Sequence, residues 1–197
     1  VDVRRLVLDA AIEICASEGP DAVSMRDVAR QSGVSHQAPY HHFGDRAGIF
    51  AAISEEGFGI LADSMEVALA SGESPVRTCL EVYLRIAQEN VGHFRVMFRS
   101  DICGVSTHLQ AQIAADRAFG TLQKMVELVL GREADEQEMS VWASMMWSLA
   151  HGFAALLIDG PLAAKLSQSI AVERHVTDFV HFATEMVENH ASLSLRR

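Results

Sequence analysis

Cysteine is scarce in this chain and shows no pairing pattern: Cys15, Cys79 and Cys103 are odd in number, far apart, and lack the short spacing of zinc ligands or a dithiol redox motif. All three are expected to be reduced, buried, small apolar residues. Cys103, beside Gly104 in an expected loop, is the one position to test with peroxide. Positive charge is also short, with 16 Lys and Arg against 26 Asp and Glu and a formal net charge of −10. Overall charge therefore cannot draw the chain to a polyanion, and any such binding has to come from how charge is distributed locally. Metal and catalytic patterns are missing too. His93, His108, His151, His175 and His181 are scattered with no H-E-x-x-H, and no glycine-rich phosphate loop, nucleophile elbow or paired catalytic carboxylate occurs. No metal site, cofactor or enzymatic activity is expected. His151 is expected to supply a hydrogen bond inside the fold, with His175 and His181 at a subunit surface or in solvent. No consecutive apolar run reaches the roughly eighteen residues that cross a bilayer, and no charged-apolar-small leader opens the sequence, so a cytoplasmic location is expected.

What is present is helical periodicity. The apolar fraction of 49% and mean hydropathy of +0.14 fit a well-packed globular chain of 197 residues. Little strand-like alternation occurs, so the expected fold is all-α with about nine helices. Leu6, Val7, Ala10, Ala11, Ile14 and Cys15 form one apolar stripe, ended by Gly19-Pro20. A long helix is expected from Arg46, carrying Phe50, Ile53, Leu61, Met65 and Leu69 and weakened by Gly57 and Gly59 at about 1 kcal/mol each. Ser71-Gly72 reads as a hinge, and Ser74-Pro75 as the cap and first turn of the next helix, with Cys79, Leu80, Tyr83 and Ile86 on it. Further helices are expected over 91–99, 106–130, 135–158 and 167–189, with Gly131 and Gly160-Pro161 as stops. No internal repeat or low-complexity linker divides the chain. The expected division is functional, with 1–48 as a reading head and 49–197 as a body.

The most informative stretch runs from Ser24 to Arg46, SMRDVARQSGVSHQAPYHHFGDR. Ser24 can cap a helix by accepting a free backbone N–H, Asp27 stands three places on in a capping-box-like position, and Val23 and Val28 have the spacing of a hydrophobic staple. Gly33 can close that helix in the left-handed conformation. Ser35 then offers a second cap, and a short helix is expected over His36 to His42. Pro39 sits inside that span, but the carbonyl it would crowd belongs to the cap residue, so the usual penalty of about 3 kcal/mol is reduced to one lost hydrogen bond. Two short capped helices around a tight turn make a helix-turn-helix, in which the second helix enters the major groove of DNA. Within the motif Arg26, Arg30 and Arg46 face Asp27 and Asp45, so it is only slightly positive, and its histidines gain charge when held near phosphate.

The S-M-R-D-V-A-R-x-x-G-V-S core, the Y-x-H-F ending, the basic residue opening the next helix and the length together resemble the TetR (TetR/AcrR) family of bacterial transcriptional regulators. The resemblance implies Arg26 near the start of the first helix as a DNA contact, His36, Gln37 and Ala38 facing bases, and Tyr40, His42 and Arg46 touching phosphates. Ser24, Ser35 and His41 complete the DNA-facing set, while Phe43 belongs to the core. Pro39 stands where leucine or a threonine-like residue is usual and Arg46 where lysine is, so base preference does not carry over. Trp147, His151 and Gly152, in WSLAHG, resemble a tryptophan-histidine-glycine signature of one C-terminal subgroup.

The body is expected to bind a ligand and to dimerise. Phe94, Met97, Phe98, Phe119, Trp142, Met145, Met146 and His151 are candidates for an adaptable apolar pocket taking a small apolar or amphipathic effector. Trp142, Met146, Leu149, Phe153 and Leu157, then Val172, Val176, Phe179, Val180, Ala183 and Val187, put apolar residues on more than one side of the last two long helices, which calls for a second subunit. The family resemblance implies a two-fold homodimer with a four-helix bundle there, set on a pseudo-palindromic operator in double-stranded DNA. The expected function is a ligand-responsive DNA-binding regulator, a repressor released by its effector. The rival class is an all-α carrier or enzyme that uses the body as its site and the head only for packing. Exposure separates them: His36, Gln37, Tyr40 and His42 must face solvent in the regulator.

Overall fold

The computed structural model describes residues 2–102, 104–166 and 172–194. Cys103 and the expected start of the last helix at Ser167 lie outside those residues. The described chain is helical, without strands: α1 Val3–Ser17, α2 Met25–Ser32, α3 Ala38–Phe43, α4 Arg46–Ala70, α5 Pro75–Glu89, α6 Val91–Met97, α7 Leu109–Leu130, α8 Glu136–Ile158, α9 Leu162–Leu166 and α10 Val172–Ser194, with single 3-10 turns at Pro20–Ala22 and Val105–Thr107. The added helix relative to the sequence expectation is α9, a five-residue piece after Gly160-Pro161. The expected helix over 106–130 starts later, at Leu109, because Val105–Thr107 forms a separate 3-10 turn.

The chain forms two compact units, 1–61 with 89–118 and 62–88 with 119–197. Helices α4 and α7 each contribute to both. In the first unit α1 packs most extensively on α6 and α2. Its core joins Val7, Ala11, Ile14 and Cys15 of α1 to Val28 of α2, Ile49, Phe50 and Ile53 of α4 and Val96 of α6. Segment 89–118 is thus part of the unit that carries the helix-turn-helix, a grouping different from the functional division at residue 48. Two glycines allow this packing. A Cβ on Gly92 would lie 2.4 Å from the Ile12 carbonyl oxygen, and one on Gly57 would lie 2.5 Å from Met97 Sδ. Arg95 of α6 donates to the Cys15 and Ala16 carbonyls at 3.1 and 2.6 Å, satisfying acceptors that the C-terminus of α1 leaves open.

In the second unit Val76, Leu80 and Leu84 of α5, Met125, Val126 and Leu130 of α7, Trp142, Met146, Phe153 and Leu157 of α8, and Val180, Ala183 and Val187 of α10 are buried. The Phe153 and Phe179 rings stack at 3.8 Å. Several of the apolar positions that mark α8 and α10 as apolar on more than one side are therefore used within this unit. Those left exposed are different ones: Val141, Met145, Trp147 and Leu156 on α8, and Phe182 and Met186 on α10. Helix α8 is also long and apolar enough to cross a membrane by length and composition, as core helices of globular proteins can be. Counting consecutive apolar residues misses it because Ser140, Ser144, Ser148 and His151 interrupt the run.

Candidate nucleic-acid interface

The first helix of the motif begins and ends where its caps dictate. Ser24 Oγ accepts the Asp27 N–H at 3.1 Å, and its hydroxyl donates to Asp27 Oδ2 at 2.6 Å. The Asp27 carboxyl consequently lies below its ordinary range, held there first by Ser24 and then by Arg30. Val23 and Val28, the staple pair, are both buried. At the other end Gly33 takes φ 70°, its N–H reaching the Arg30 carbonyl at 3.3 Å and the Val34 N–H reaching that of Ala29 at 3.2 Å. This is the paired closure that satisfies two of the last carbonyls and reverses the chain.

Helix α3 begins two residues later than its sequence indicated. Ser35 does not cap it; the Ser35 carbonyl instead accepts the Ala38 N–H at 3.0 Å in a turn, and Gln37 occupies the cap position. Pro39 thereby falls in the first turn, where no N–H is required, and its expected hydrogen-bond loss disappears. The ring of Pro39 is buried, and the other side chains turn outward. His36, Gln37, His41 and His42 are exposed, and so is Tyr40 at 51%. Ser35 is also exposed and Ala38 half-buried. A helix serving only packing would not leave this run of polar and aromatic groups in solvent.

Charge around the motif is arranged. Residues 1–48 hold five arginines against seven carboxylates. Three of the acids sit at helix N-termini: Asp2 Oδ1 accepts the Arg5 N–H at 3.2 Å, Asp27 flanks the Ser24 cap, and Asp45 Oδ1 accepts the Gly48 N–H at 2.9 Å. There the aligned peptide dipoles offset them. Arg5 bridges Asp9 and Glu56, and His93 Nε2 lies 3.1 Å from the other Glu56 oxygen. Burial raises the Glu56 pKa, but hydrogen bonds from Arg5 and then His93 outweigh it, so the carboxyl ends below its ordinary range. Arg46 is partly exposed, donating to the Pro20 carbonyl at 2.8 Å with its guanidinium 4.9 Å from the Phe50 ring centre. Arg26 is exposed and carries no ion pair with a described acid. Arg4, not singled out from the sequence, lies over the Phe43 ring at 5.1 Å. No local pattern signals it, since the contact joins residues 39 places apart.

The candidate ligand residues fall in both units. In the first, Phe94 and Met97 are buried, and Phe98 meets Phe94 and Phe58 edge-on at 5.7 and 5.4 Å. In the second, Trp142 and Met146 are buried, Met145 and Phe119 exposed, and Phe119 lies 6.4 Å from the Trp147 ring. His151 Nδ1 is 3.0 Å from the Tyr83 hydroxyl. Burial pushes the Tyr83 pKa up and the His151 pKa down, which favours the neutral form of each. Tyr83 went unrecognised as a partner because helix periodicity marks it only as core. Cys15 and Cys79 are buried and unbridged, each thiol pushed up to about 12 by burial, which makes both unreactive.

A capped helix, a glycine-closed turn and an outward-facing second helix define a helix-turn-helix DNA-binding protein. The family model described as bacterial regulatory proteins, tetR family, matches residues 7–53, and the one described as tetracyclin repressor-like, C-terminal domain, matches residues 76–179. The chain belongs to the TetR family and is a DNA-binding transcriptional regulator. It is 25% identical over 178 residues to the HTH-type transcriptional regulator YobS of Bacillus subtilis (strain 168), covering 79% of this chain and 93% of YobS. Among solved structures, a Rhodococcus sp. RHA1 protein of unknown function is similar with a TM-score of 0.75 and 24% identity, covering 96% of this chain and 95% of the other. The TetR family regulator PfmR of Thermus thermophilus is similar with a TM-score of 0.58 and 24% identity over 78% of this chain and 94% of PfmR. These two structural likenesses show the shared fold.

Proposed function

We propose that this regulator is a repressor released from a pseudo-palindromic operator by a small apolar or amphipathic effector, working as a homodimer on chromosomal DNA in the cytoplasm. The observation that carries the DNA side is the outward row His36, Gln37, Tyr40, His41 and His42 on and before α3. In this reading His36, Gln37 and Ala38 meet bases, while Arg26, Tyr40, His42 and Arg46 hold phosphates, with Ser24, Ser35 and His41 beside them. Residues 1–48 act as the DNA-binding domain and 49–197 as the ligand-binding and dimerisation domain. A gel shift with the DNA flanking the protein's own gene tests the interface. Arg26→Ala, Tyr40→Ala and Arg46→Ala should each weaken the shifted band, and indifference to all three ends this assignment.

The effector side rests on apolar groups with few polar anchors. Phe94, Met97 and Phe98 are the candidates in one unit, and Phe119, Trp142, Met145, Met146 and His151 in the other, where the Tyr83–His151 hydrogen bond supplies a fixed polar point. Effector binding shifts α4, whose residues belong to both units, and so alters the spacing of the two heads on successive major grooves. A panel of amphipathic small molecules, screened for thermal stabilisation and then for operator release, tests the coupling. A molecule that stabilises the protein and leaves operator affinity unchanged refutes it. Dimerisation is supported by the apolar side chains that α8 and α10 leave in solvent, Phe182 at 69% among them. Sedimentation of Phe182→Glu should show monomer if these helices form the interface.

A further inference from the structure

Of the five arginines within residues 1–48, Arg5 is held by Asp9 and Glu56, Arg30 by Asp27, and Arg46 by the Pro20 carbonyl with Asp21 at 3.9 Å. Two are left without an ion pair to a described acid, Arg26 and Arg4. Arg26 already belongs to the proposed interface; Arg4 has no assigned role. It is exposed, in the first turn of α1, with Cζ 5.1 Å from the centre of the Phe43 ring. Phe43 is the last residue of α3, and its ring is met edge-on by His42 at 6.5 Å, which in turn meets His41 at 5.0 Å. Arg4 therefore stands at the C-terminal end of the outward-facing helix, on the ring that His42 also meets. The acids flanking Arg4 and Phe43 in sequence make their described contacts elsewhere. Asp2 is fixed on the Arg5 N–H and Asp45 on the Gly48 N–H.

We propose that Arg4 is a DNA phosphate contact, placed at the end of the reading helix by its seat on Phe43. An arginine over an aromatic ring is held by electrostatic attraction that needs no acid, and its planar fork remains suited to a phosphate. In a head whose formal balance is negative, an uncommitted guanidinium at this point raises the local potential where the DNA backbone would pass. This inference rests on α3 being the groove-facing helix.

Phosphate contacts are independent of sequence, so the test uses a mixed-sequence duplex spanning two successive major grooves and reads binding against salt. Arg4→Met keeps the apolar cover on Phe43 and removes the charge; Arg4→Lys keeps the charge. Losing one phosphate contact should flatten the log–log salt slope by about 0.9 and weaken binding about eightfold near 0.1 M salt for each head engaged. Arg4→Met should show this loss with an unchanged unfolding midpoint, and Arg4→Lys should restore the slope. A wild-type slope in Arg4→Met, or a slope in Arg4→Lys as flat as in Arg4→Met, overturns the assignment. The combined Arg26→Ala, Tyr40→Ala, Arg46→Ala variant separates the two levels. If it loses binding while Arg4→Met keeps the full slope, only the Arg4 role fails; if it binds like the wild type, the interface itself is misplaced and the Arg4 role falls with it.

Discussion

Gly92→Ala should destabilise the protein although alanine is the better helix former. A Cβ at this position would lie 2.4 Å from the Ile12 carbonyl oxygen and 3.0 Å from Ile12 Cγ2. The carbonyl belongs to the middle of α1, so relief requires α1 and α6 to move apart rather than a side chain to rotate. Overpacking of this kind costs about 1–3 kcal/mol, and the helix-propensity gain of up to about 1 kcal/mol offsets part of it. A net loss of about 1–2 kcal/mol corresponds to a fall of roughly 2–8 °C in unfolding midpoint for a chain of this size. Gly57→Ala is the internal comparison, because there the crowding atoms are mainly the flexible end of Met97. It should cost less. Denaturant unfolding of both variants, with duplex binding measured in parallel, checks the ranking. A Gly92→Ala protein as stable as the wild type would mean that the close seat of α6 on α1 is not maintained in solution.

Gly152→Ala should act in the opposite sense: nothing lies within 4 Å of a Cβ there, the position is mid-helix, and thermal unfolding should report a gain of up to about 1 kcal/mol. Ser24→Ala removes an N-cap bonded to Asp27 through both backbone and carboxylate, and denaturant titration should register a loss of about 1 kcal/mol. Acidification should expose His151. Its folded pKa lies below the ordinary 6.5, so below pH 6.5 the unfolded chain binds a proton that the folded chain refuses, and stability falls as the pH drops from there toward the folded value. The midpoint of His151→Gln should fall less over that window, and identical pH profiles would refute the assignment.

The first helix of the motif was legible residue by residue because its determinants are local: a serine cap, a staple between Val23 and Val28 five places apart and a glycine closure all act within one or two turns. The start of α3 was misplaced for a related reason. Ser35 has the right side chain for a cap, but Pro39 fits best in a first turn, and the backbone follows the proline. Contacts between distant residues were not legible. Arg4 over Phe43, Tyr83 on His151 and Gly92 against Ile12 join positions whose spacing carries no pattern, and periodicity marks such residues only as exposed or buried. Which apolar residues of α8 and α10 stay in solvent was not legible for that same reason, since apolar residues lie all round α8 and only packing decides it.

An acidic chain in a DNA-binding family poses a question of charge that summation answers wrongly. The formal balance of residues 1–48 is negative, yet charge is not free to act from every position. Asp2, Asp27 and Asp45 lie against the positive ends of α1, α2 and α4, and Asp9 and Glu56 are covered by Arg5. Each acid so placed strengthens the local fold while projecting a weakened field. The exposed edge of the motif instead carries His36, Gln37, Tyr40, His41 and His42, with Arg26 on α2 and Arg4 on α1 making no ion pair with a described acid. Three of these are imidazoles, which can donate hydrogen bonds to phosphate oxygens. Local placement, rather than the sum, thus sets the charge that the exposed edge of the motif presents to a polyanion.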